Sequence, residues 1–350
     1  ERDWQTPLSL LLIDNLVETM KIERNFSLGT KTKARVVIAL MTAFTAGSLL
    51  DYIFPVHQPS RRLLENDKPL PTRQGKPIMA TFFEPVIGGC CGMTEEGHQN
   101  LVKAWESAWR SYGWETKVFN EADAKKHPRF KELEQKLIDA DVNGYNQRCF
   151  WRWLAMAMDT DPNGGWMSDY DFFPLTLTAK IGEELAAAPG FKSWSLHVPT
   201  LLQSDHHSWN VVTDLMIDTV SKDLDVEFLS DMYLLKYLYE HHSEEDLGIS
   251  SWEMLTYSGF PYKKDEDDIY FDCAGATARL GAHLSHHDSR KAVNNGLFPK
   301  IEGVTEGNLG EHMNKRAEAA SIMMTDFKQT CSMWCHSEFN LRSEQRHLIG

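Results

Sequence analysis

Positive charge is what this chain has least of. Its 350 residues carry 36 Lys and Arg against 50 Asp and Glu, a formal net charge of -14. Nucleic acids are gripped by basic surfaces that meet their phosphates, so this balance excludes a nucleic-acid partner. Several catalytic signatures are also missing. There is no G-x-S-x-G elbow, no Walker lysine and no H-E-x-x-H pair, which removes the chemistries those spacings serve. Cysteines number six: Cys90, Cys91, Cys149, Cys273, Cys331 and Cys335. None are spaced C-x-x-C, and Cys331, Cys335 and His336 fall short of the four ligands of a structural zinc site. An even count fits an oxidising compartment, but the spacing leaves the pairing open. No internal repeat or low-complexity tract occurs, so repeat architectures are excluded as well.

With 42% hydrophobic and 25% charged residues, the chain has a globular composition and the length for one large or two modest domains. An uncharged run covers residues 36–50 and ends at Asp51. It is shorter than the roughly 20 apolar residues of a comfortable membrane span, and residues 52–54 extend it. Lys31, Lys33 and Arg35 crowd its N-terminal flank, and basic flanks stay cytoplasmic. Short spans suit the thinner early secretory membranes. The expected organisation is a cytoplasmic tail at 1–35, a transmembrane signal anchor at 36–54 and a stem at 55–75. The stem is rich in proline and charge and has no apolar period, so it is extended and builds no core.

From Lys76 onward, strand-like and helix-like stretches alternate. Residues 76–84, 114–120, 165–175 and 191–199 read as strands. Residues 98–112, 125–140, 146–158, 178–188 and 208–224 read as helices. Trp105 and Trp109 are four apart, a core-facing helical spacing. This alternation predicts an α/β fold with a mostly parallel central sheet covered on both faces. Ligands of such sheets bind beyond the carboxyl ends of the strands.

At one such end stands GGWMSDYDFFPL, residues 164–175, which delivers Asp169 and Asp171 one residue apart. Two hard carboxylate ligands that leave a cation open to phosphate suit Mg²⁺ or Mn²⁺. The cation inverts the sign of the site, so that an acidic pair accepts a diphosphate. A solvated acidic turn is the simpler reading of a bare D-x-D string, and its surroundings favour the metal.

Those surroundings are an arginine on a helix, Leu/Ala-rich residues, a glycine pair, an aromatic residue and then D-x-D. Arg152, Leu154, Gly164, Gly165, Trp166, Asp169 and Asp171 take these places. The pattern resembles the sugar-binding region of GT-A type glycosyltransferases, most closely the family 32-like group. KPIMATFFEP, residues 76–85, sits where such enzymes have their opening P-K-I-I-H strand. There are two departures. Cys149 stands where the family usually carries an acidic residue, and DTDPN at 159–163 lengthens the turn before the glycines.

The resemblance implies a GT-A (Rossmann-like) nucleotide-sugar-binding domain over 76–290, with 291–350 as a C-terminal extension packed on it or following it. It implies a metal-dependent glycosyltransferase, retaining, that moves a sugar from a nucleotide-diphosphate donor to a glycan, protein or lipid acceptor. A type II anchor with the catalytic domain in the Golgi or ER lumen is the matching topology. Asp169 and Asp171 would be catalytic and hold Mn²⁺ or Mg²⁺, and Arg148, Arg152, Gly164, Gly165 and Trp166 would meet the donor. GT-A enzymes often complete the metal sphere with a C-terminal histidine. LGAHLSHHDSR offers His283, His286 and His287, and His286 is the expected third ligand, an imidazole suiting Mn²⁺ better than Mg²⁺. Solvated loop histidines are the plainer alternative. His206 and His207 read as loop residues within reach of an acceptor, and His241 and His242 as an exposed helix end. In the front-face path ascribed to the family, the departing phosphate helps to deprotonate the acceptor, so no protein base is assigned.

Two other functions fit the same residues. One is a non-catalytic carbohydrate- or nucleotide-sugar-binding protein on this fold. The other is a metal-dependent hydrolase built from the carboxylates and the histidine pairs, which requires a second metal or a water-activating base.

Overall fold

The structure is a computed structural model that describes residues 75–85, 92–159, 165–221, 223–224, 228–266, 268–302, 304 and 309–331. The chain divides into two units, Glu1–Lys68 and Pro69–Gly350, and the described residues all belong to the second. The expected tail and anchor, all of the stem but Gly75, and also Gly164, Cys90, Cys91 and Cys335, lie outside the described residues. Among the described residues no helix is long and apolar enough to cross a membrane.

The elements run β1 (Ile78–Phe82), α1 (Glu95–Ser111), β2 (Glu115–Phe119), α2 (Glu121–Ala124), α3 (Phe130–Asp139) and α4 (Gly144–Ala157). Then come β3 (Gly165–Ser168), β4 (Phe172–Pro174), α5 (Ala179–Ala186), β5 (Phe191–Ser193), β6 (Leu201–Ser204), α6 (His206–Thr219) and α7 (Asp231–His241). The rest are α8 (Glu244–Leu247), β7 (Ile249–Trp252), β8 (Thr256–Ser258), β9 (Tyr262–Asp265), β10 (Asp268–Phe271) and α9 (Cys273–Thr277). Last are β11 (Gly281–His283), α10 (His286–Asn294), α11 (Leu309–Asn314) and α12 (Arg316–Thr330).

Local signals place the helices. Thr94 caps α1 by accepting from the Gly97 N–H at 3.0 Å, and Glu95 and Glu96 fill the first turn, where the helix dipole favours anions. Asn143 caps α4 in the same way, accepting from the Asn146 N–H at 3.0 Å.

The central sheet is mixed but mostly parallel, in the order β2-β1-β3-β6-β5-β7. β1 runs parallel to β2 and β3, and β5 parallel to β7, while β6 is antiparallel to both β3 and β5. Successive strand residues face opposite sides. Met79, Trp166 and Leu201 enter one apolar cluster with α1 and α12. Ala80, Met167 and Leu202 enter the other, with α3, α4, α6 and α7. Both faces of the sheet are therefore covered, as a largely parallel sheet requires.

A second sheet, β4-β11-β8, continues from the end of β3. β11 pairs antiparallel with β4, setting His283 opposite Phe172, and parallel with β8. This pairing depends on Gly281. A Cβ there would lie 2.4 Å from Phe172 Cζ and 2.5 Å from the Phe173 carbonyl oxygen.

The expected domain boundary at 290 falls inside α10, and the chain continues in the same body. α12 packs on α1 and is joined to α9 by a disulfide between Cys331 and Cys273. The described part of the C-terminal extension thus packs on the domain, because α12 lies on α1 and buries Ala319, Ala320, Met323 and Phe327 in the apolar cluster they share.

Candidate metal centre

A cleft of about 650 Å³ opens at the carboxyl ends of β1 and β3. Its floor is the turn between β3 and β4, closed by the Phe172 N–H donating to the Asp169 carbonyl at 3.0 Å. The turn presents Asp169 and Asp171, and β11 brings in His283. His283 Nε2 lies 3.2 Å from Asp171 Oδ1 and 3.6 Å from Asp169 Oδ2. One ligand atom from each of the three residues lies within 4.8 Å of the others, the one such acid and histidine group among the described residues.

The other carboxylate oxygens are taken. Arg152 donates from Nη1 to Asp169 Oδ1, and Arg316 donates from Nη1 to Asp171 Oδ2 at 2.9 Å. Each acid is therefore split, with one oxygen held by a buried guanidinium and the other turned toward His283. Arg152 is anchored in turn by Asp231 at the start of α7, whose Oδ2 accepts from Arg152 Nε at 2.8 Å and Trp153 Nε1 at 3.0 Å. Thr200 orients two of the three residues. Its carbonyl accepts from the Asp169 N–H at 2.9 Å, and its hydroxyl pairs with His283 Nδ1 at 3.2 Å. A partner on the far ring nitrogen is how metal-binding histidines are held in one tautomer and orientation. Tyr170, between the two acids, reaches His98 of α1 at 3.2 Å and steadies the turn.

Electrostatics follows from this wiring. Burial pushes the Asp171 carboxyl up, but His283 and Arg316 outweigh it and hold it well below the usual carboxylate range. Asp169 is raised, because burial exceeds the pull of Arg152 and Asp171 adds repulsion. Burial lowers His283, but the two carboxylates more than reverse this and leave it raised. Three carboxylates against two guanidinium groups leave one net negative charge when His283 is neutral. Two carboxylate oxygens and an imidazole nitrogen are a donor set that fits Mn²⁺ and, less well, Mg²⁺.

Four expected site residues stand elsewhere or act differently. His286 lines the cleft from the first turn of α10, but the place beside the acids belongs to His283, because β11 pairs with β4 directly after the D-x-D turn. Arg152 is on site but fully engaged with Asp169 and Asp231, so it supports the acids rather than offering its fork to a donor. Trp166 is 3% exposed and stacks on Trp194 at a centroid distance of 6.0 Å. It faces the α1 side of the sheet because its place in the alternation of β3 points it there, so it is a core residue and not a donor contact. Gly165 begins β3, at the end away from the carboxylates, where its carbonyl accepts from Trp209 Nε1 at 3.3 Å. Arg148 does line the cleft, with its guanidinium 5.5 Å over the Trp151 ring and Nη1 donating to the Gly144 carbonyl at 2.5 Å.

His206 and His207 open α6 rather than a loop and do not line the cleft. His241 ends α7 and is exposed. Cys149 lines the cleft with a free thiol that burial pushes up to about 12, so it stays protonated near neutrality and is no nucleophile. Sequence reasoning passed over Arg316, Asp231 and Thr200. No motif marks them.

Residues 59–181 match the model of a domain of unknown function, DUF8765. The match includes Asp169 and Asp171 and stops before Thr200, Asp231, His283 and Arg316. No curated protein matches the chain.

Proposed function

We propose that this protein is a metal-dependent glycosyltransferase of GT-A type that uses a nucleotide-diphosphate sugar. The observation that carries the reading is the convergence of Asp169 Oδ2, Asp171 Oδ1 and His283 Nε2 at the carboxyl edge of a mostly parallel sheet. Asp169, Asp171 and His283 would hold Mn²⁺, which supplies Lewis-acid neutralisation of the charge that grows on a leaving diphosphate. The near-neutral wiring matters here. A dication on a site with one net negative charge leaves a positive centre, and a positive centre attracts a diphosphate.

The chain's own residues do the rest. Arg152 and Arg316 keep the two acids in place, and Arg316 with His283 holds Asp171 ionised. Arg148 lines the cleft, and a guanidinium suits a phosphate oxygen. No protein base is assigned, in keeping with a retaining path in which the leaving phosphate helps to take the acceptor proton.

A hydrolase requires a second metal or a water-activating base. The described residues hold a single metal-competent group and His206 does not line the cleft, which count against a two-metal hydrolase, while His286 does line it. The Cys273–Cys331 disulfide supports folding in an oxidising compartment such as the secretory lumen. The test is a thermal-shift screen of nucleotide sugars with Mn²⁺ present. Stabilisation by one nucleotide sugar that vanishes with EDTA supports the reading, and no shift with any donor counts against it.

A further inference from the structure

Arg316 is the first residue of α12, and its side chain is 2% exposed. On local grounds this is a poor place for a cation. The free N–H groups of a first helical turn disfavour positive charge, and Arg316 Nε is buried without a partner. What offsets these costs lies across the domain. Nη1 donates to Asp171 Oδ2 at 2.9 Å and also to the Leu284 carbonyl at 2.7 Å. Leu284 directly follows His283, and its own N–H donates to the Asp171 carbonyl at 2.8 Å. A single guanidinium nitrogen therefore ties the segment that carries one ligand to the segment that carries another.

We propose that Arg316 is a positioning residue of the metal centre. It holds Asp171 Oδ2 and the Leu284 carbonyl, so that Asp171 Oδ1 faces His283 Nε2 and Asp171 serves as a one-oxygen ligand. The far end of α12 is fixed by the Cys331–Cys273 disulfide and its middle by Tyr262, whose hydroxyl donates to Asp326 at 2.6 Å, so the arginine is presented on a braced helix. The proposal rests on the metal-centre reading, but not on glycosyl transfer.

Orientation and charge have opposite signs here, which makes the proposal testable. If Arg316 acted only through its charge, removing it would tighten a bare dication. If it orients Asp171, removing it weakens binding even though a repelling charge is gone. The measurement is titration of the purified protein with Mn²⁺ alone, reading free Mn²⁺ by electron paramagnetic resonance, with His283→Ala as the control for site occupancy. Arg316→Met, checked for native circular dichroism, is expected to bind Mn²⁺ about tenfold or more weakly, the usual cost of losing a residue that orients a ligand. Arg316→Lys keeps the charge but not the planar fork and is expected to weaken binding severalfold. Unchanged or tighter binding by folded Arg316→Met overturns the proposal. If that variant does not fold, Arg316→Lys decides, and an unchanged affinity overturns it. A wild type that binds no Mn²⁺ overturns the metal centre itself. A wild type that binds Mn²⁺ but no nucleotide sugar removes the transferase reading and leaves the role of Arg316 standing on the variants.

Discussion

Arg316 Nη1 and Asp171 Oδ2 lie 2.9 Å apart although 145 positions separate them in the chain. Arg152 holds Asp169 in the same manner from the other side of the turn. The two arginines turn an acidic turn into a site of defined shape, because each leaves one carboxylate oxygen aimed at His283. Removing one partner of a buried pair leaves an uncompensated charge, so these contacts couple stability to the site.

The third ligand is the first point to check. His283→Ala should weaken Mn²⁺ binding by at least about tenfold, and His286→Ala should change it far less, because only His283 reaches both acids. Calorimetric titration of the two variants measures this. The reverse order would return the ligand role to His286.

Thr200 should matter although it touches no ion. Thr200→Val keeps the backbone carbonyl that holds Asp169 and removes the hydroxyl that holds His283 Nδ1. The expected result is a loss of about tenfold in Mn²⁺ affinity, with a stability cost of about 1 kcal/mol. Equal Mn²⁺ affinity in variant and wild type would mean that the His283 ring is held by other contacts.

The Cys273–Cys331 disulfide closes a separation of 58 residues. On the chain-entropy model a loop of that size contributes about 4 kcal/mol, and measured values for disulfides are typically about 2–4 kcal/mol. Cys273→Ser or mild reduction should therefore lower the midpoint of urea unfolding. An unshifted midpoint would show that the other contacts of α12 hold it without the disulfide.

Lys192 gives the fold a pH signature away from the candidate metal centre. Burial outweighs the pull of Asp205 and lowers its ammonium from 10.5 to about 8. Between those two values the unfolded chain still binds the proton and the folded chain has released it. Stability from this group must therefore rise as pH increases across that window. Lys192→Met should remove the rise, so urea midpoints for wild type and variant should diverge from pH 8 upward. Parallel midpoints from pH 8 to pH 10 would contradict the assignment.

What could be read in the sequence was local. The D-x-D turn, the arginine one helix earlier and the alternation of strands and helices all lie within short windows. They correctly indicate an α/β domain with a mostly parallel sheet, and Asp169 and Asp171 sit at its carboxyl edge. His283 was visible as one of three histidines, but which of them reaches the acids depends on the β4–β11 register, a long-range pairing with no local mark. Arg316 had no signal, since its partner is fixed only after α12 docks on α1. Trp166 misled for a physical reason. β3 is buried on both faces, so hydrophobicity does not reveal which side a residue takes, and only the register shows that Trp166 faces the core.

The most direct measurement of the central claim is Mn²⁺-dependent release of nucleoside diphosphate from a panel of nucleotide sugars, run on the wild type and on Asp171→Asn. Asp171→Asn removes one charge from the turn, and its melting temperature reports whether the domain stays folded. The expected result is release from one donor by the wild type, reduced to background by EDTA and by a folded Asp171→Asn. Release that survives both treatments, or no release from any donor by a protein that binds Mn²⁺, would contradict it.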